Sequence, residues 1–212
     1  SDKIQIAGLV VSEYCEQYSH PSAKQSLGEW LKSYNVPAIS GVDTRALTQK
    51  LREKGTMLGA METEVGRRKS GDGSREFADP NMRNLVAEVS CTKTIIYEPQ
   101  PPDSRLRTSI LLYDCGVKFN IIRSLLNRGC RVIRVPWNQE LGIRNKELSI
   151  NNHKIDGIVL SNGPGDPTKC DKTITEIRKL LIPDSSFLIP ILGICLGNQL
   201  LALATGAKTY KL

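Results

Sequence analysis

The stretch PILGICLGNQLLALATGA, residues 190–207, begins as an apolar run, breaks at Gly193, turns through Ile194, Cys195, Leu196 and Gly197, and continues as a helix. A strand that hands over to a helix through a glycine-flanked corner is half of a βαβ unit, and here it sets one cysteine at the junction. The chain upstream repeats the theme. SILLYDCG, starting at Ser109, is a continuous apolar run of strand length, followed by a helix carrying Phe119, Ile122, Leu125 and Leu126 and ended by Gly129. RVIRVPW, DGIVLS and FLIPILGIC are further runs, and a helix with Ile174, Ile177, Leu180 and Leu181 precedes the last of them. Apolar runs alternating with helices predict an α/β domain over residues 108–212, built on an open, mostly parallel sheet buried on both faces.

The first part of the chain has shorter elements and predicts a small amino-terminal α/β domain over residues 1–96. IQIAGLVV, starting at Ile4, has the composition of a strand. SAKQSLGEWLKSYNV begins with Ser22 and Gln25 in capping-box spacing and puts Leu27, Trp30 and Leu31 on one helical face. DTRALTQKLREKG offers Asp43 or Thr44 as cap, Leu47 and Leu51 one turn apart, and Gly55 as a stop. Residues 66–79 turn polar and glycine-rich, a loop, and Arg67, Arg68 and Lys69 within it read as a mobile basic surface. YEPQPPDSRLR, residues 97–107, reads as the linker between domains, since its three prolines and its charges fit no element.

Composition narrows the function class. The net charge of +7 comes from 29 Lys and Arg mixed with 22 acids, and aromatics are 5%. Without a basic stripe and stacking residues, no nucleic-acid partner is expected. No apolar run approaches the roughly 20 residues that cross a bilayer, so no membrane association is expected either. No charged-then-apolar signal segment opens the chain, although a first residue that is not methionine suits an excised piece of a longer protein. The six cysteines are irregularly spaced with no C-x-x-C, which points to a reducing compartment, no metal site, and a cytoplasmic location, with mitochondrial as the alternative.

Cys195 is the residue with chemistry to offer. A strand–Cys–helix turn holds the side chain up at the sheet edge, and Gly193 and Gly197 leave room for close backbone approach. The following helix points its amides and the positive end of its dipole at the sulfur, favouring thiolate and offering donors to an oxyanion. Gln199, one turn on, shares the face of Cys195. A buried cysteine used only for packing is the alternative. A second loop favours a site: SNGPGDP, residues 161–167, follows a neighbouring candidate strand at the same edge and carries Gly163 and Gly165, whose amides are free to face a ligand. By itself Pro-Gly-Asp-Pro also makes a turn with no ligand.

LSNGPGDP together with GICLGNQLLALATGAKTYK resembles the glutamine-hydrolysing region, a class I glutamine amidotransferase, of carbamoyl-phosphate synthetase. GVDTRALTQKLREKGTMLG resembles the amino-terminal domain of the same small subunit. The glutaminases of GMP synthetase or anthranilate synthase share the first pattern, while the helix at Asp43, Thr44 and Arg45 and the AKTYK ending point to carbamoyl phosphate. FADPNMRNLVAEVS and VPWN are most similar to eukaryotic forms fused within one multifunctional chain. The resemblance implies Cys195 as the nucleophile on the carboxamide of L-glutamine, releasing ammonia through a thioester. It implies the amides of Leu196 and Gly163 as the oxyanion donors, and Gly163, Gly165, Leu196 and Gln199 as the glutamine contacts. No cofactor is implied in this region. ATP, Mg and bicarbonate belong to the large, ammonia-using subunit or domain that is the expected partner.

Two departures from the family pattern stand out. Histidine usually precedes the elbow glutamine, and here it is Asn198. The family's base, a histidine with an orienting glutamate, comes after the AKTYK segment, and neither histidine present substitutes for it. His20 sits beside Pro21 in the first domain. His153 precedes the strand leading into SNGPGDP, ~20 Å from the site at the opposite sheet edge. The resemblance also places one glutamine-contacting serine ahead of Ser1, so the chain is expected to be cut at both ends and nearly inactive alone. Two other readings compete. One is a non-catalytic docking or scaffold module of the synthetase. The other is a redox-sensing cysteine on a similar sheet, which would need neither Gln199 nor the Gly163 loop.

Overall fold

The computed structural model describes residues 4, 6–21, 23–61, 79–100, 108–144, 147–181 and 189–210. Two compact units divide between Ala78 and Asp79. In the first, β1 (Leu9–Val10) pairs in parallel with β2 (Ala38–Ile39). The strand expected from Ile4 is thus only two residues long. The two helices are α1 (Leu27–Ser33) and α2 (Thr44–Lys54). Ser22 lies outside the described residues, and the cap of α1 is a different pair. The Ser26 Oγ accepts from the Glu29 amide at 3.2 Å, and Glu29 accepts from the Ser26 amide at 2.8 Å. The same S-x-x-E/Q arithmetic works four residues later because both a Ser and its acidic partner recur there. Asp43 caps α2 by accepting from the Ala46 amide, and Gly55 ends it at φ 75°. The Leu47 and Leu51 face is not covered among the described residues, as each is 38% exposed.

The second unit, Asp79–Tyr210, contains α3 (Leu85–Val89), β3 (Ile95–Tyr97), β4 (Ser109–Asp114), α4 (Phe119–Leu126), β5 (Arg131–Pro136), β6 (Ile143–Arg144), β7 (Glu147–Ile150), β8 (His153–Lys154), β9 (Gly157–Leu160), α5 (Asp171–Leu180), β10 (Ile191–Gly193) and α6 (Leu196–Ala204). The main sheet runs β10-β9-β4-β5-β3, parallel except for β3, and β6-β7-β8 form a small antiparallel meander. The boundary expected near residue 96 therefore falls earlier. Residues 79–97 belong to this unit because α3 and β3 pack on its sheet, with Ile96 opposite Ile133 of β5. Of the expected linker, Tyr97 is a strand residue, and 101–107 lie outside the described residues, as do 66–78 of the polar loop.

Strand periodicity sorts the core. Leu111, Tyr113, Ile133, Val135, Ile158 and Leu160 face α5 and α6 on one side, where Ile177 and Leu200 are fully buried. Leu112, Val132 and Val159 face α4 on the other, around Ile122. Both faces are covered, as continuous apolar runs require. The helix after β4 lies on one face and the helix after β9 on the opposite face, so the connections change sides between these neighbouring strands. It is at such a point, outside the carboxyl ends of the strands, that open α/β sheets bind ligands. Among the described residues no helix is long and apolar enough to cross a membrane. Leu200→Ala is expected to lower the unfolding free energy of this unit by about 2–5 kcal/mol. Denaturation followed by Trp137 fluorescence in a Trp30→Phe background measures it.

Candidate active site

Registers place three chain exits at one edge. Gly193 of β10 is level with Leu160 of β9, and Leu160 with Tyr113 of β4. Cys195, the 161–165 loop and the 115–118 turn therefore leave the sheet side by side. The corner at Cys195 is made by the cysteine itself, at φ 55° and ψ −111°. Gly193 and Gly197 are not at positive φ; they serve close approach instead. A Cβ on Gly193 would stand 2.6 Å from the Asn198 Cα, and one on Gly197 would stand 2.1 Å from the Leu160 carbonyl oxygen. The Leu160 carbonyl also accepts from the Ile194 amide at 3.0 Å, so one oxygen fixes the start of the corner and abuts its end. A non-glycine residue at positive φ on a strand–helix corner is the strain expected of a nucleophile elbow.

Cys195 is exposed, Leu196 is buried, and Gln199 and Asn198 are exposed on the first turn of α6. Gln199 donates its amide to the Cys195 carbonyl at 3.2 Å, so the two lie one turn apart as the spacing predicted. Leu196 opens α6, so its N–H has no intrahelical acceptor. The Gly163 loop meets this turn. A Cβ on Gly163 would stand 2.7 Å from the Leu196 side chain and 2.0 Å from the Cys115 carbonyl oxygen, which only glycine tolerates. Gly165, at φ 83°, packs toward Leu85 of α3. His153 sits at the other edge: the guanidinium of Arg131, the first residue of β5, donates to its Nδ1 at 2.9 Å. His20 belongs to the first unit.

The sequence reading missed the groups behind the glycine loop. Ser161 Oγ accepts from the Cys115 amide at 2.9 Å, and the Asn162 side chain accepts from the Lys118 amide and donates to the Gly116 carbonyl at 3.1 Å. Asp114, fully buried, accepts from the Gly116 and Val117 amides through one oxygen, and from the Cys91 amide and Arg134 through the other. An aspartate closing an apolar run just before a glycine was the available signal.

Three of the other cysteines separate from Cys195 by environment. Burial pushes the Cys91 thiol up to about 11, with neighbouring Asp114 adding to it. Burial likewise raises Cys170 to about 11, helped by Asp171 and Asp166, and raises Cys115 further. Raised values keep these three as thiols at pH 8, and the thiolate is the nucleophile. Iodoacetamide at pH 8 is expected to label exposed Cys15 and Cys195 well before Cys91, Cys115 and Cys170, as read by peptide mass spectrometry. Equal labelling of Cys115 would contradict this geometry.

Comparison with known proteins agrees with the layout. The family described as glutamine amidotransferase class-I matches residues 111–212, and the carbamoyl-phosphate synthase small chain, CPSase domain, matches residues 1–61. The multifunctional protein pyr1-3 of Dictyostelium discoideum is 44% identical over all of this chain, which covers 9% of that protein. The arginine-specific carbamoyl phosphate synthase small chain of Neurospora crassa is 46% identical, again over all of this chain, and 43% of it is covered. The corresponding small chain of Eremothecium gossypii is 43% identical with 50% covered. The chain thus spans half or less of these relatives. It carries in sequence order a segment of the carbamoyl-phosphate synthase small-chain domain and a class-I glutamine amidotransferase segment, and it is similar along its whole length to small chains and multifunctional proteins that bear these names.

Proposed function

We propose that residues 108–212 carry the nucleophilic half of a glutaminase that supplies ammonia for carbamoyl phosphate synthesis. The supporting observation is the exposed Cys195 on a strained corner whose next residue, Leu196, is in contact with the Gly163 loop. In this reading the Cys195 Sγ attacks the side-chain carboxamide carbon of L-glutamine, and the negative charge collects on its oxygen. The amides of Leu196 and Gly163 receive that oxyanion. Collapse breaks the carbon–nitrogen bond, the nitrogen leaves as ammonia after taking up a proton, and a glutamyl thioester remains on the sulfur. Water then cleaves the thioester to glutamate and restores the thiol. Gln199 and Gly165 hold the polar groups of the substrate.

Proton transfer needs a base; His153 is held by Arg131 at the start of β5, away from Cys195, and a histidine outside these 212 residues is assigned the role. The ammonia acceptor is a large synthetase subunit or domain that uses bicarbonate and ATP with Mg. The relatives include both arginine-specific small chains and multifunctional proteins.

In the full-length protein, Cys195→Ala is expected to lower glutamine-dependent turnover at least ~10³-fold, and acid quenching with labelled glutamine is expected to trap label on Cys195. Turnover retained by that variant would sink the reading. Asn198→His should leave thioester formation intact, because residue 198 is exposed and its packing against Gly193 uses backbone atoms.

A further inference from the structure

Gly163 owes its place to its neighbour. It lies directly on the Cys115 carbonyl, and the 115–118 turn that presents this carbonyl is held from two sides. From below, Asp114 Oδ1 accepts from Gly116 at 3.0 Å and Val117 at 2.9 Å. Its Oδ2 accepts from the Cys91 amide at 2.7 Å and from the Arg134 Nε and Nη2 at 2.9 and 2.6 Å. Arg134 is itself located by the Tyr97 hydroxyl at 3.4 Å and by the Phe119 ring beneath its guanidinium, at 5.6 Å. From the side, Ser161 and Asn162 join the turn to the loop that carries Gly163.

We propose that Asp114, supported by Arg134, is a positioning residue for glutamine hydrolysis: it fixes the 115–118 turn and thereby the location of the Gly163 amide relative to Cys195. This rests on the reading of Cys195 and Gly163 given above. The contact of Gly163 with the Cys115 carbonyl is backbone on backbone, with no flexible side chain between turn and glycine. A shift of the turn is therefore passed to the glycine nearly undiminished. A donor displaced by a fraction of an ångström from the developing oxyanion loses transition-state stabilisation but little ground-state affinity.

The test is steady-state glutamine hydrolysis by the full-length protein, normalised to alkylatable Cys195. Asp114→Asn keeps the shape but turns one acceptor into a donor facing amides. It is expected to lower kcat about 10- to 100-fold while KM stays within about threefold. Asn162→Ala leaves no buried charge unpaired. It is expected to lower kcat about tenfold with a thermal midpoint shifted by only ~2 °C. If Asp114→Asn does not fold, Arg134→Lys, which keeps the charge beside Asp114 but removes the two-point contact that orients it, decides by the same loss of kcat at unchanged KM. Folded variants with wild-type kcat, or with the loss confined to KM, overturn the proposal. Hydrolysis surviving in a parallel Cys195→Ala control overturns the functional reading instead.

Discussion

Parallel alignment of β4, β9 and β10 makes three loops leave the sheet at one edge, and strands in hydrogen-bonding contact bring those loops within backbone reach of one another. The tightest contacts at this edge are consequently backbone on backbone. Gly163 rests on the Cys115 carbonyl, Gly197 on the Leu160 carbonyl and Gly193 on the first turn of α6. Amides at such an edge are placed by the sheet rather than by rotamers, which suits groups that must be preorganised before charge develops. Cys195, Asn198 and Gln199 are the exposed side chains at the start of α6.

Beneath the edge lies a charged pair whose value is not stability. Asp114 is fully buried and Arg134 nearly so. Removing two charges from water costs about as much as their attraction returns. What the pair contributes is direction. A carboxylate that accepts from three backbone amides as well as a guanidinium has one arrangement that satisfies it, and the turn after β4 adopts that arrangement. The core around it is apolar and would tolerate several similar packings; the carboxylate selects one.

How much of this was legible depended on the range of each interaction. The Asp43 cap and Gly55 stop are local, so residue type and spacing were enough to find them. Ser26 and Glu29 were local too, but Ser22 and Gln25 offered the same spacing one turn earlier, and nothing in the sequence ranks two such pairs. Cys195 was legible because a strand-to-helix corner leaves glycines on both sides of it; that the corner's positive φ falls on the cysteine rather than on a glycine was not. The place of residues 79–97 was hidden because β3 joins the sheet antiparallel, across β5, from outside the alternating pattern. Arg134 was hidden for the same reason. It reaches Asp114 from the neighbouring strand, and only the β4–β5 register brings them together.

The backbone at Cys195 carries a consequence for such chains. At φ 55° and ψ −111° every residue except glycine is held against its preference, at a cost of about 1–3 kcal/mol. Cys195 is thus kept in place against the stability of its own domain. Substitution by glycine would relieve this strain and strengthen the fold while removing the thiol. A copy of this architecture with glycine at the corner should therefore be sturdier than one that keeps the cysteine.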